Sequence, residues 1–206
     1  MTTMFGNFAN YGFVRSQVPE TLLLNLHKEV STLDTTTAIP FNNSLAGNIE
    51  AEFKLANNHA ELEQFLLGLC TQYESTFNIT HTRHDLRSDN LQLDNYWVNI
   101  QRKNEFNPMH GHDGVYSFAI WLKVPYYIQD EISTASSIKS NMPRAGMFSF
   151  IYTNIFGEIR EAEFPIDKTY EGTVFLFPSC LQHTVYPFSS TDDTRISISG
   201  NLKRKL

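Results

Sequence analysis

Three histidines carry the spacing that could do chemistry. His110 and His112 stand in Asn107-Pro108-Met109-His110-Gly111-His112-Asp113-Gly114, and His183 closes Phe177-Pro178-Ser179-Cys180-Leu181-Gln182-His183. Residues two apart on a strand point to the same face, so His110 and His112 can converge on one ion, with Gly111 between them permitting close approach. Neutral imidazole suits iron, zinc, copper and nickel. Binding needs the unprotonated ring, so metal affinity is predicted to fall as pH drops below about 6.5. Taken alone, the spacing fits a chance pair on a sheet surface equally well. His27, His59, His81 and His84 lie in helical or irregular context and read as surface residues.

Arg195-Ile196-Ser197-Ile198-Ser199 is the second chemical clue. The isoleucines make one strand face, and Arg195, Ser197 and Ser199 make the other. If that face lines a barrel, the guanidinium needs an anionic partner, because an unpaired buried charge costs several kcal/mol. Its planar fork suits a carboxylate held through two hydrogen bonds. The alternative is an outward, solvated Arg195.

The elements that must position these groups are mostly strands. Tyr96, Val98 and Ile100 alternate with Trp97, Asn99 and Gln101, and Phe118, Ile120, Leu122 and Val124 alternate with Ser117, Ala119, Trp121 and Lys123. Further strands are predicted over 147–152, 158–164, 172–177, 183–186 and 195–201. Asp113-Gly114, Phe156-Gly157, Glu171-Gly172 and the run 189–193 mark turns. Short strands between turns predict an antiparallel sandwich or barrel. Ahead of them, apolar residues at three- and four-residue steps predict helices over 18–32, with Pro19 in the first turn, and over 58–77. These read as a support layer on a sheet. Residues 129–146 hold four serines and no sustained period, which fits a lid or a mobile connector. Residues 33–57 are polar and irregular.

The 206 residues carry 41% apolar side chains and a net charge of -6, enough chain for one large domain with its own core. The acidic balance argues against a general duplex-binding surface, and no apolar run approaches a membrane span. Met1-Thr2-Thr3-Met4-Phe5 shows no secretory signal. Cys70 and Cys180 sit in apolar stretches and read as reduced core thiols of a cytoplasmic protein.

In order and spacing, the pieces over roughly residues 94–204 resemble the double-stranded β-helix of 2-oxoglutarate- and Fe(II)-dependent oxygenases, in particular a bacterial and tailed-phage branch. Those pieces are Trp97-Val98-Asn99-Ile100, Asn107-x-x-His110-x-His112, the strand Ser117 to Pro125, Ala145-Gly146-Met147-Phe148, Glu171 to Ser179, Leu181-x-His183-x-Val185-x-Pro187 and Arg195 to Asn201. The implied fold is mainly β with N-terminal helices: a jelly-roll or cupin-like barrel in one domain over 1–206. Within it, 1–93 is a helical and irregular support region and 94–204 the barrel core.

The resemblance implies Fe(II) held by His110 and His183, with Arg195, assisted by Ser197, gripping the distal carboxylate of 2-oxoglutarate. Asn99, on the strand entering the site, and Trp121 complete the implied cosubstrate-binding set. Two positions depart from the wider superfamily. The place of its carboxylate ligand is taken by His112, which makes His110, His112 and His183 the preferred set and leaves Asp113 as the rival ligand. Trp121 stands where relatives often carry a tyrosine facing the cosubstrate, and its indole can only donate. The implied reaction consumes 2-oxoglutarate and O2, releases succinate and CO2 and hydroxylates a C–H bond, with a prolyl or other peptide side chain as the first reading of the substrate. The implied setting is the cytoplasm, a host's if the chain is phage-encoded. The alternatives are a three-histidine metal dioxygenase or cupin enzyme that needs no 2-oxoglutarate, and a non-catalytic jelly-roll binding module. A zinc hydrolase is disfavoured, because no general base stands beside the histidine pair.

Overall fold

The computed structural model describes residue 3 and residues 10–79, 83–134 and 137–205. Met1, Thr2, Met4, Phe5, His81 and residues 135–136 of the serine-containing stretch therefore lie outside the described residues. Among the described residues, ten strands form two antiparallel sheets. The larger runs in the order β1 (Val14–Gln17), β8 (Thr173–Pro178), β5 (Tyr116–Lys123), β10 (Arg195–Arg204), β3 (Leu91–Gln101), β2 (Ala51–Leu55). The smaller runs β4 (Asn107–His110), β9 (Gln182–Val185), β6 (Met147–Thr153), β7 (Ile159–Pro165).

The period-two pattern separates two cores. On one face of the larger sheet, Val98, Ile120 and Ile198 pack in a cluster with Leu22 and Leu26 of α1 (Glu20–Ser31) and with Leu62, Leu66 and Leu69 of α2 (His59–Thr76). Each such leucine contributes roughly 1.5–3 kcal/mol by leaving water. The other face meets the smaller sheet through an aromatic cluster that includes Trp121, Phe148, Phe150, Phe175 and Phe177. Phe148 and Phe150 meet edge to face at 4.9 Å, as do Phe150 and Phe177. The inward residues of β3 and β10 are therefore the polar members of each alternating pair.

The expected helices and strands are present with shifts of a few residues at their ends. Pro19 is the N-cap of α1 rather than its first helical residue. Two strands come from stretches that carried no strand signal. β1 lies at one edge of the larger sheet beside β8, and β2 lies at the other edge beside β3. The stretch 129–146 overlaps a short helix, α3 (Ile128–Ile132). Its buried Glu131 accepts hydrogen bonds from the backbone N–H groups of Ser189 and Ser190, at 2.8 and 3.0 Å. Cys70 is buried as expected, but Cys180 is exposed, because it sits in the turn between β8 and β9 and its side chain points outward. No described helix is long and apolar enough to cross a membrane.

Candidate active site

His110 ends β4 and lies directly across from His183 on β9. His112 is beyond the strand, so strand alternation does not place it. Its backbone N–H instead donates to Ser179 O at 2.9 Å, which turns it back toward the pair. Gly111 allows this approach: a Cβ there would lie 2.7 Å from Gln182 Nε2 and 3.3 Å from Ser179 O. The potential ligand atoms of the three histidines all lie within 4.8 Å of one another, the one such gathering among the described residues. Asp113 is exposed and outside it. His27 and His84 are exposed, and His59 is half-buried with its Nε2 3.0 Å from Leu93 O.

The rings are prepared to coordinate. Nδ1 of His110 lies 2.7 Å from Pro108 O and Nδ1 of His183 lies 3.1 Å from Leu181 O. A carbonyl can only accept, so both Nδ1 atoms carry the proton and both Nε2 lone pairs are left for a metal. Burial opposes the charged ring at all three. It lowers His110, holds His112 near 4 with help from His110, and holds His183 near 3 with help from both partners. The donor set thus fits a divalent ion that accepts neutral imidazole, and leaves positions for further ligands.

Burial corrects the pH dependence read from ordinary histidines. Three rings of ordinary pKa would each cost roughly tenfold in apparent metal affinity at pH 5.5, about a thousandfold together. His112 and His183 are already neutral at that pH and lose little to proton competition, and the lowered His110 loses less than an ordinary ring. Zn(II) affinity, measured by calorimetry at pH 7.5 and 5.5, is expected to fall by less than about tenfold. A loss near a thousandfold would mean that the rings are solvated and ordinary.

Arg195 is inward and 2% exposed. No carboxylate pairs with it among the described residues. Nε and Nη2 donate to Gln101 Oε1 at 3.1 and 2.7 Å, Nη1 to Tyr126 Oη at 2.6 Å, and Nη2 also to Tyr186 O at 3.0 Å. The ring of Phe188 lies 5.4 Å below it. The partners are neutral, so the fork is held rigid while its charge stays uncompensated. Gln101 was legible: it is the next inward residue of the Trp97–Asn99 alternation and the direct cross-strand neighbour of Arg195. Tyr126 follows β5 and had no periodic signal.

Asn99, Ser197 and Trp121 form one cross-strand row on β3, β10 and β5. Asn99 Nδ2 donates to Ser197 Oγ and to Ser199 Oγ, both at 3.2 Å, while its Oδ1 accepts from Trp97 Nε1 at 3.1 Å. Ser197 accepts from Asn99, so its own O–H proton is free to donate. The row, the three histidines and Arg195 line a single cavity. None of the described residues in 129–146 lines it. Its cover comes instead from Leu45, Ala46, Gly47 and Ile49, and Glu52 of β2 extends the row beyond Asn99. Sequence reasoning missed this segment, which has neither period nor motif.

The family described as "Putative 2OG-Fe(II) oxygenase" matches residues 95–201, the part of the chain that holds the histidines and Arg195. Comparison with curated proteins finds no match. Among solved structures, a Pseudomonas putida prolyl-4-hydroxylase is similar at 14% identity and a TM-score of 0.55, over 96% of this chain and 95% of that one. HygX from Streptomyces hygroscopicus, solved with nickel, 2-oxoglutarate and hygromycin B, is similar at 13% identity and a TM-score of 0.55, over 95% and 84%. A Trichoplax adhaerens prolyl hydroxylase, solved with a hypoxia inducible factor peptide, is similar at 14% identity and a TM-score of 0.52, over 93% and 82%. At these identities the likeness is one of fold, the double-stranded β-helix. Over half its length, including all three histidines and the buried arginine, the chain belongs to the 2OG-Fe(II) oxygenase family, whose chemistry takes Fe(II), 2-oxoglutarate and O2.

Proposed function

We propose that the protein is a dioxygenase that hydroxylates a C–H bond of its substrate while converting 2-oxoglutarate to succinate and CO2, with one oxygen atom of O2 going to each organic product. The observation that carries this reading is the pairing of a neutral three-imidazole face with a buried, charge-uncompensated guanidinium in one cavity. Bound Fe(II), together with the cosubstrate and O2, would supply the oxidant that a C–H bond requires. His110, His112 and His183 would hold the metal. Arg195 would receive the distal carboxylate of 2-oxoglutarate, and Ser197 would donate its free proton to the same group. Asn99 fixes Ser197 in that role, and Trp121 flanks it. The aromatic wall of Phe148 and Phe177 excludes water from the reacting atoms. The first reading of the substrate is a prolyl or other peptide side chain, supported by the likeness to the two prolyl hydroxylases.

The test is anaerobic titration with Fe(II), followed by 2-oxoglutarate. One Fe(II) per chain and a weak visible charge-transfer band on adding the cosubstrate are expected. Iron uptake without the band would favour a three-histidine dioxygenase that needs no 2-oxoglutarate. No uptake would favour a non-catalytic binding module.

A further inference from the structure

We propose that Glu52, Asn107 and the notch at Gly47 form a subsite for an N–H-bearing cation, an ammonium or guanidinium group on the primary substrate. On a peptide this means a lysine or arginine side chain entering the cavity. The assignment of a substrate to this cavity rests on the oxygenase reading; the subsite itself rests on the following geometry.

Glu52 is 1% exposed, on the inward face of β2 across from Asn99. One of its oxygens, Oε2, receives only a long hydrogen bond from Asn42 Nδ2, at 3.4 Å; the other, Oε1, is buried without a partner. Asn107 Oδ1, at the start of β4, is likewise buried and unpartnered. Buried acceptors without donors are rare, because each forfeits the hydrogen bonds it made to water. These two aim at one place. A Cβ on Gly47 would collide with Asn107 Oδ1 and would lie 3.4 Å from Glu52 Oε1. Only glycine at 47 lets Asn107 Oδ1 lie against the backbone there, beside Glu52 Oε1, and Gly47, Glu52 and Asn107 all line the cavity that holds the histidines.

The unpaired acceptors, with no described cation beside them, point to a donor that carries positive charge. Burial, reinforced by the nearby Glu105, raises the Glu52 carboxyl to about 7. Glu105 is itself occupied by the backbone N–H groups of Glu50 and Arg102, and the Arg102 guanidinium pairs with Glu50. No described cation pairs with Glu52. A donor-bearing cation would satisfy both orphan oxygens and stabilise the carboxylate, whereas an anion would be repelled and an alkyl group would leave the acceptors unpaired.

The test uses n-butylammonium as the probe and butan-1-ol as its neutral counterpart. Dissociation constants are measured by ligand-observed NMR on the Zn(II)- and 2-oxoglutarate-loaded chain and on the metal-free chain. The wild type is expected to prefer the ammonium by at least about tenfold in both states. Glu52→Gln and Gly47→Ala should each abolish the preference while leaving Zn(II) and 2-oxoglutarate affinities unchanged. Gly47 has no left-handed backbone requirement, so alanine there displaces the Asn107 carboxamide, the end of a side chain, without straining the backbone, and carries the test if Glu52→Gln fails to fold. Equal affinities for the two probes in wild type would mean that the notch holds only water, and the proposal fails. A preference that survives both substitutions also overturns it. A wild type that prefers the ammonium but binds no 2-oxoglutarate would sink the oxygenase reading and leave the subsite standing.

Discussion

His183→Ala is expected to lose its metal while the chain stays folded. His183 faces His110 across the β4–β9 pair, and its ring is the most deeply buried of the three. It stacks on Phe148 at 5.7 Å and meets Phe177 at 4.8 Å, so truncation leaves a gap lined by aromatic rings. The gap costs on the order of 3 kcal/mol, tolerable for a chain with a second, separate core beneath its helices. Metal affinity should fall by more than the roughly 10–100-fold that follows from altering a ligand's supporting hydrogen bond. Elemental analysis after gel filtration, beside a circular dichroism spectrum, reads both effects; His183→Gln keeps more of the volume if alanine proves too costly. In the same assay His112→Ala should be as damaging, and Asp113→Ala should stay close to wild type. The reverse ranking of His112 and Asp113 would return the site to two histidines and a carboxylate.

Arg195→Ala is expected to weaken 2-oxoglutarate binding by about ten- to a hundredfold, the worth of a charge-assisted hydrogen bond of roughly 1.5–3 kcal/mol. Arg195→Lys keeps the charge but loses the fork, so its loss should be smaller. Metal loading should be nearly unchanged in both, because the guanidinium belongs to β10 and the imidazoles to the other side of the cavity. Gln101 and Tyr126 lose their partner in the alanine variant, so thermal stability should drop as well. The measurement is cosubstrate affinity at saturating metal. Equal affinity in folded Arg195→Ala and wild type would remove the cosubstrate assignment and favour a three-histidine enzyme or a binding module.

The parts of this site that the sequence reveals are those under strict alternation. Trp97, Asn99 and Gln101 line the cavity because Tyr96, Val98 and Ile100 are needed on the helix side. Arg195, Ser197 and Ser199 follow from Ile196 and Ile198 in the same way. His112 was placed for the wrong reason: the strand stops at His110, and a single backbone hydrogen bond to Ser179 does what alternation was expected to do. The neutral partners of Arg195 carried no signal as such: the anion expected for it was the carboxylate of 2-oxoglutarate, and Gln101, Tyr126 and the Tyr186 carbonyl hold the guanidinium without neutralising it. What stayed hidden depends on contacts between distant segments. Glu52 lies in a stretch with no period of its own, and only its pairing with β3 turns it inward. Cys180 reads as apolar from its neighbours, yet its turn points it outward.

The two halves of the cavity belong to different sheets. Arg195 is on β10, paired on both sides within the larger sheet, and His110 and His183 are on the β4–β9 pair of the smaller one. Neither described cysteine is bridged, so no covalent tie joins the faces there. A molecule that reaches the imidazoles at one end and the guanidinium at the other is a cross-brace. It should damp the breathing of one sheet against the other and slow amide exchange along β9 and β10 together, so that the protein is stiffest when it is ready to react.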